Sequence, residues 1–477
     1  MKRTNYITTI FSTMAIILVL AASVALSIWR VNPPIADETS PAFQQMMYNL
    51  ERLATGVRWV GTPELAATRD EIIAEIEAMG LTPIVHRTVY TIEDYHYADA
   101  VLRQIRRGWE PQPFSIETGW WIRRWVESNF PRHPLVTQGY MYVDNIWVTL
   151  ESPNPNSGSI MFVAHYDTTL NTPGAADAML PVVAMLEAMR AHANNDNLAS
   201  NLHFLFTDGE EWSALGALAF SRDFTALTEE IDLLINLEAQ GNSGGLLIFE
   251  TSAAPTHILR LFNRVAPRPI GFHWADWVYA TFLPGSYTDF TIFRAYGFKG
   301  LNFAIIGGGE YYHTPYDNFE NLNRNTAYHY LITTMALANY AAGNCLLGLR
   351  EPSHDAIFFP LLPGRMIVLT MTAAHILMGM AFAVSAGFLV YKFKTKLPKS
   401  WFITALLIVM TIATIAIAIF INMLSYLLWV PLLAVAVSAF LKKWPILYKC
   451  AITVSGAITL LLWVPPIYLL LTLYQII

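Results

Sequence analysis

His165 and Asp167 follow an apolar run of Ile160, Met161, Phe162 and Val163, and Asp177 comes after them in a Gly-Ala-Ala-Asp turn. Further along stand the adjacent pair Glu210-Glu211, then Glu238 behind another apolar run, and His313 in Tyr312-His313-Thr314. Imidazole nitrogens and carboxylate oxygens are what zinc takes, about four to an ion; two ions sharing one carboxylate need roughly five protein ligands plus a bridging water. The set supplies that many ligands and leaves two residues over. Asp167, two places from His165, is set to accept the second imidazole N–H and fix its tautomer. Adjacent side chains diverge, so one of Glu210 and Glu211 can bind metal while the other reaches the water as general base.

Strands must deliver these groups. Apolar runs at residues 160–163, 202–207, 233–237 and 300–306 each break into a polar cluster, the last through Gly307-Gly308-Gly309 into Tyr311-Tyr312-His313. Short apolar runs of this kind read as buried parallel strands, and open α/β sheets carry their sites just past the carboxyl ends of such strands. Pro181 predicts a helix start, with Val182, Leu186 and Met189 on its inner face. Two more helices are expected within residues 41–80, parted by Gly61-Thr62-Pro63. Residues 88–101 read as a strand with an extension and residues 145–150 (NIWVTL) as an edge strand. The expected fold class is therefore α/β, a mostly parallel twisted sheet with helices on both faces.

His203 and His329 read as packing histidines. Trp212, Tyr311 and Tyr312 are candidates for the pocket lining because they neighbour site residues in the chain. Residues 103–125, within an insertion at about 90–140, are rich in Trp and Arg and are expected to pack through cation–π contacts, with a lipid-headgroup surface as the other reading.

Of 477 residues, 54% are hydrophobic and 14% charged, and the mean hydropathy is +0.37, too apolar for an ordinary soluble chain. Apolar segments at residues 7–29, 366–391, 401–421, 424–441 and 451–473 are about long enough to cross a bilayer. Lys392, Lys394, Lys396 and Lys399 mark one loop, and Lys442, Lys443 and Lys449 another. The positive-inside rule then places the N-terminus and both lysine loops inside and residues 30–365 outside. The expected organisation is an anchor or signal segment at 1–29, an extracytoplasmic domain at 30–365, and a membrane domain of about four helices at 366–477. A net charge of −6 gives no basic surface for nucleic acid. The scarcity of ionisable residues in the apolar segments argues against a transport pathway, and Cys345 and Cys450 are too few for a disulfide framework.

The order H-x-D, G-A-x-D, D-G-E-E, N-L-E-A-x-G and Y-H-T resembles the co-catalytic di-zinc aminopeptidases. Asn236-Leu237-Glu238-Ala239-Gln240-Gly241, the following Gly244-Gly245 and Phe249-Glu250, and Tyr312-His313-Thr314 look most like the membrane branch of that family, the endoplasmic-reticulum and vacuolar-membrane metallopeptidases. The resemblance covers about residues 45–330, the insertion excepted. It implies a zinc exopeptidase, most simply an aminopeptidase acting on peptides, with His165 and Glu238 on one of two zincs and Glu211 and His313 on the other. Asp177 would bridge them, Glu210 would be the base, and Ser286-Tyr287-Thr288-Asp289-Phe290 matches a loop near the substrate. One departure is Asp177-Ala178-Met179-Leu180-Pro181, where the family often has Asp-x-x-Ser-Gly. That run is reminiscent of glutaminyl cyclases, which use a single zinc. A non-catalytic receptor on the same fold would be expected to lack ligands, and none is missing. The related carboxypeptidases and deacylases insert a lid domain before their final His, for which residues 239–312 leave little room.

Overall fold

The computed structural model describes residues 31–91, 138–273 and 287–377, with a few isolated positions besides. Its centre is a seven-stranded sheet in the order β1-β2-β4-β3-β5-β7-β6. The strands are β1 (Ile84–Thr91), β2 (Tyr140–Leu150), β3 (Ser159–His165), β4 (Asn201–Thr207), β5 (Leu233–Leu237), β6 (Leu247–Thr251) and β7 (Gly300–Ala304). Strands β4, β3, β5 and β7 run parallel in the middle, flanked by antiparallel β1-β2 on one side and antiparallel β6 on the other. Every residue of β3, β5 and β7 is buried, as a strand covered on both faces requires. Each large apolar side chain so buried contributes about 1.5–3 kcal/mol, which fixes the register of the strands that carry the site.

Helices α1 (Pro41–Leu53) and α2 (Pro63–Glu77) begin where the sequence predicts. Ser40 and Thr62 cap them by accepting from the amides of Phe43 and Leu65, and each has proline in its first turn. Helix α3 (Leu180–His192) connects β3 to β4, and α4 (Leu215–Asp223) connects β4 to β5 on the far side of β3. Both crossovers join parallel strands but run in opposite directions along the sheet, so right-handed connections put the two helices on opposite faces. Helix α5 (Thr256–Val265) follows β6, α6 (Asp289–Ala295) packs with α4, and α7 (Arg324–Gly343) packs with α3. The chain reverses its direction of travel across the sheet at β3, which opens a crevice beyond the carboxyl ends of β3, β4 and β5.

Some sequence expectations shift. The first strand occupies Ile84–Thr91, earlier than residues 88–101. The NIWVTL segment lies in an inner strand, because β1 pairs along the free side of β2 and takes the edge position itself. Strand β6, which closes the other edge, was not expected from the sequence. A hairpin of β8 (Ala356–Leu362) and β9 (Arg365–Thr370) takes in the first residues of the segment expected to cross the membrane from residue 366. The Trp/Arg-rich insertion and most residues of the apolar segments lie outside the described residues. Among the described residues, no helix is long and apolar enough to cross a membrane.

His203 and His329 both pack. Thr149 Oγ1 lies 2.9 Å from His203 Nδ1, and the ring stacks on Trp147. His329 accepts from the Leu246 amide at 3.0 Å through Nδ1 and donates through Nε2 to the Arg268 carbonyl, also at 3.0 Å. Burial lowers the pKa of each to about 4, so both are neutral rings in the core near neutral pH.

Candidate metal centre

Each strand end contributes to one cluster. His165 is the last residue of β3, Glu210 and Glu211 follow β4, Glu238 follows β5, and His313 lies beyond β7 in a loop. Asp177 sits at a kink within Ala175–Met179, with non-helical backbone (φ −111°, ψ 89°), just before α3. Its Oδ1 lies 3.2 Å from His165 Nε2, and its Oδ2 lies 3.3 Å from His313 Nε2. Glu238 Oε2 stands 3.3 Å from His165 Nε2, and Glu211 Oε1 stands 3.1 Å from His313 Nε2. Ligand atoms of His165, Asp177 and Glu238 all lie within 4.8 Å of one another, as do those of Asp177, Glu211 and His313. The two groups share Asp177. Glu210 belongs to neither of these, but with His165 and Glu211 it forms a third group within the same 4.8 Å.

Asp167 orients its neighbours from behind. The His165 Nδ1 lies 3.1 Å from the Asp167 main-chain carbonyl and 3.4 Å from its carboxylate, which leaves Nε2 for the centre. The Asp167 carboxylate itself accepts the amides of Glu210 and Glu211 at 3.0 and 3.1 Å, one on each oxygen. So the partner expected for the imidazole also sets the turn that presents both glutamates.

Burial and mutual repulsion decide the protonation of this cluster. The Glu210 carboxyl is pushed well above the usual range by burial and by Glu238, and Glu211 is pushed up to about 7 by burial and by Asp177. Burial also acts on Asp177, but the His165 and His313 imidazoles close to its two oxygens outweigh it and hold that carboxyl below the usual range. His313 rises to about 10: burial disfavours its charged form, and Glu211 and Asp177 more than offset this. So many buried acids around two imidazoles call for positive charge. Asp177 Oδ2 and Glu211 Oε1 are moreover buried without a hydrogen-bond partner, which in a protein interior needs a reason. A divalent cation in each group would answer both, and nitrogen with carboxylate oxygen is a donor set that zinc accepts.

Residues not singled out from the sequence support the cluster. Arg58 is fully buried, and its guanidinium donates to the carbonyls of Tyr166, Pro173 and Gly174 at 2.9, 2.5 and 3.0 Å. It thereby ties down the loop between His165 and Asp177. Asp317 accepts the amides of Ala176 and Asp177 at 2.8 and 3.1 Å, and the Tyr330 hydroxyl donates to the Glu238 carbonyl. An arginine three residues before Gly61-Thr62-Pro63 and an aspartate four after His313 were the available signals.

The other candidates take mixed positions. Thr288 caps α6 in a capping box with Thr291, and Asp289 accepts from Thr207 in full burial. The Tyr287 hydroxyl accepts the Ser213 amide at 2.8 Å, and Ser286 lies outside the described residues. Trp212 packs edge-on against Trp59 at 5.1 Å and is nearly buried, as a core residue would be. Tyr312 stacks on His313 at 3.7 Å and backs a site residue directly, whereas Tyr311 meets Tyr316.

Residues 145–338 match the model of Peptidase family M28. A vacuolar membrane protease of Vanderwaltozyma polyspora is 29% identical over 224 residues, 46% of this chain and 23% of that protein. A putative endoplasmic reticulum metallopeptidase 1 of Schizosaccharomyces pombe is 29% identical over 289 residues, 60% of this chain and 32% of its own. The chain thus spans a third or less of the length of these curated relatives. Among solved structures, an aminopeptidase from Aneurinibacillus sp. strain AM-1 aligns over 64% of this chain and 95% of its own, with 13% identity and a TM-score of 0.47. A Porphyromonas gingivalis glutaminyl cyclase aligns over 64% and 99%, with 16% identity and a TM-score of 0.43. Likenesses at that level do not choose between the two activities.

Proposed function

We propose that this chain, which carries a peptidase family M28 domain over residues 145–338, is a membrane-anchored zinc exopeptidase, and that it removes residues from the amino terminus of peptides outside the cytoplasm. The observation that carries the reading is Asp177, whose two oxygens turn to two separate sets of ligands, His165 with Glu238 and His313 with Glu211. In this reading His165 and Glu238 would hold one zinc ion, His313 and Glu211 would hold the other, and Asp177 would serve both. The chemistry supplied by zinc in such a site is a water of lowered pKa and a polarised scissile carbonyl.

The chain's own groups do the rest. Glu210 takes the proton of the attacking water and returns it to the nitrogen of the leaving amine. Its main-chain N–H is held on Asp167, so the carboxyl enters the centre from a fixed turn. Asp167 also keeps the His165 tautomer that offers Nε2 inward. Burial of His165, Asp167, Asp177, Glu210 and Glu238 keeps bulk water from that side of the centre and strengthens these interactions, while His313 faces the open side. The lysine-flanked apolar segments support an anchored topology with this domain, residues 30–365, on the outer side.

The departure after Asp177 reads as packing. Met179, Leu180 and Pro181 are buried at the start of α3, so the Ser-Gly pair of the family's pattern is exchanged here for core contacts. Glutaminyl cyclisation remains the reading to exclude by experiment. Full-chain protein in detergent is expected to hydrolyse aminoacyl amides with a free amino terminus, to leave their N-acetylated forms intact, and to form no pyroglutamate from a Gln-initial peptide. Pyroglutamate formation without amide hydrolysis would overturn the assignment in favour of the cyclase, and equal cleavage of blocked and free substrates would remove the aminopeptidase.

A further inference from the structure

Phe249-Glu250 takes no part in the metal centre, yet Glu250 is buried and joined to Glu238 through Asn302 and Asn236. The pairing of β6 with β7 slips by one residue between Ile248 and Glu250, so that Glu250 and not Phe249 stands opposite Asn302. On the other side of β7, Asn302 is in register with Asn236 of β5. The three residues thus form a polar row across three strands, inside a sheet whose neighbouring positions are apolar.

The row is bonded end to end. Arg294 Nη1 of α6, partly exposed, lies 2.8 Å from Glu250 Oε1. Asn302 Nδ2 donates to Glu250 Oε2 and to Thr288 Oγ1, both at 2.9 Å. Asn236 Nδ2 donates to Asn302 Oδ1 at 2.9 Å and to Glu238 Oε1 at 3.2 Å. A carboxylate only accepts, so Glu250 obliges Asn302 to face it with Nδ2 and to turn Oδ1 toward Asn236. Asn236 must then present its own Nδ2, whose second hydrogen falls to Glu238. Asn236 Oδ1 is left buried without a partner, the cost of that orientation.

We propose that Glu250 is a positioning residue for Glu238, acting through Asn302 and Asn236 to hold an amide N–H on Glu238 Oε1 and so keep Oε2 turned toward His165. This rests on the metal reading given above. Outer partners of this type commonly govern metal affinity by about 10–100-fold. With glutamine at position 250 the same shape could either donate or accept, and the direction of both amides would no longer be imposed.

The test is zinc affinity of the full chain, read by chelator competition, in a double-mutant cycle of Glu250→Gln and Asn236→Leu. Each single variant is expected to bind the zinc that His165 and Glu238 would hold about tenfold less tightly than the parent. In the Asn236→Leu background, Glu250→Gln is expected to add less than a twofold change, because its route to Glu238 is already cut. An unchanged affinity in Glu250→Gln, or the same tenfold loss in both backgrounds, would overturn the proposal. If Glu250→Gln does not fold, Asn302→Ser takes its place in the cycle under the same criterion. A parent chain that binds no zinc would instead overturn the metal reading itself.

Discussion

Glu210→Gln is expected to keep its metal and to lose turnover by about three orders of magnitude, within the usual range for removing a positioned general base. The substitution preserves shape and removes only the ability to take a proton. Neither ligand group that shares Asp177 includes Glu210, so zinc content measured by elemental analysis should match the parent. The main-chain N–H of residue 210 still meets Asp167, so the turn that presents Glu211 stays in place. The elevated pKa of Glu210, set by burial and by Glu238, belongs to the cluster without its cations. Positive charge nearby would draw it down toward the range of a working base. A variant that turns over within tenfold of the parent would remove Glu210 from the role.

Arg58→Met is expected to destabilise the fold by about 3–5 kcal/mol, the usual cost of removing one partner from a buried charged network. Burial lowers the Arg58 pKa to about 10, while Asp317, Asp167 and Asp177 act to raise it, so the guanidinium is charged at neutral pH. Methionine fills much of the volume but supplies none of the donors that tie the carbonyls of Tyr166, Pro173 and Gly174. Three acids around the site would also lose their permanent counter-charge. Urea unfolding of the full chain in detergent measures the loss, and added zinc should recover part of it by binding only the folded state. A change below about 1 kcal/mol would mean that the loop from Tyr166 to Asp177 is held by other means.

What the sequence makes legible follows from burial. Strands β3, β4, β5 and β7 are covered on both faces and read as short apolar runs, so the groups at their ends stand out by contrast. Of the ligands of the candidate centre, His165, Glu211, Glu238 and His313 follow those ends, while Asp177 comes from the turn before α3. Edge strands obscure themselves: β1 alternates between exposed and half-buried residues and β6 carries Glu250, so neither reads as an uninterrupted run. Residues 366–370 of β9 read as the beginning of a membrane segment because an uncharged apolar run has the same composition in either setting.

The supporting groups are hidden for another reason. Arg58 lies far from the loop it holds, and Asn236 and Asn302 meet only when β5 and β7 pair. No periodicity announces a bond between residues so far apart in the chain. Asp317 stands only four residues past His313, yet it acts on the amides of Ala176 and Asp177, far away in the chain.

The central claim, that His165, Asp177, Glu211, Glu238 and His313 hold two catalytic zinc ions, is tested most directly by titration. Full-chain protein is stripped with chelator, and hydrolysis of an aminoacyl amide is followed as zinc is returned. Activity is expected to vanish on stripping and to return fully as bound zinc rises to two equivalents. Activity that survives the chelator, or that is complete at one equivalent with no second ion bound, would contradict the account.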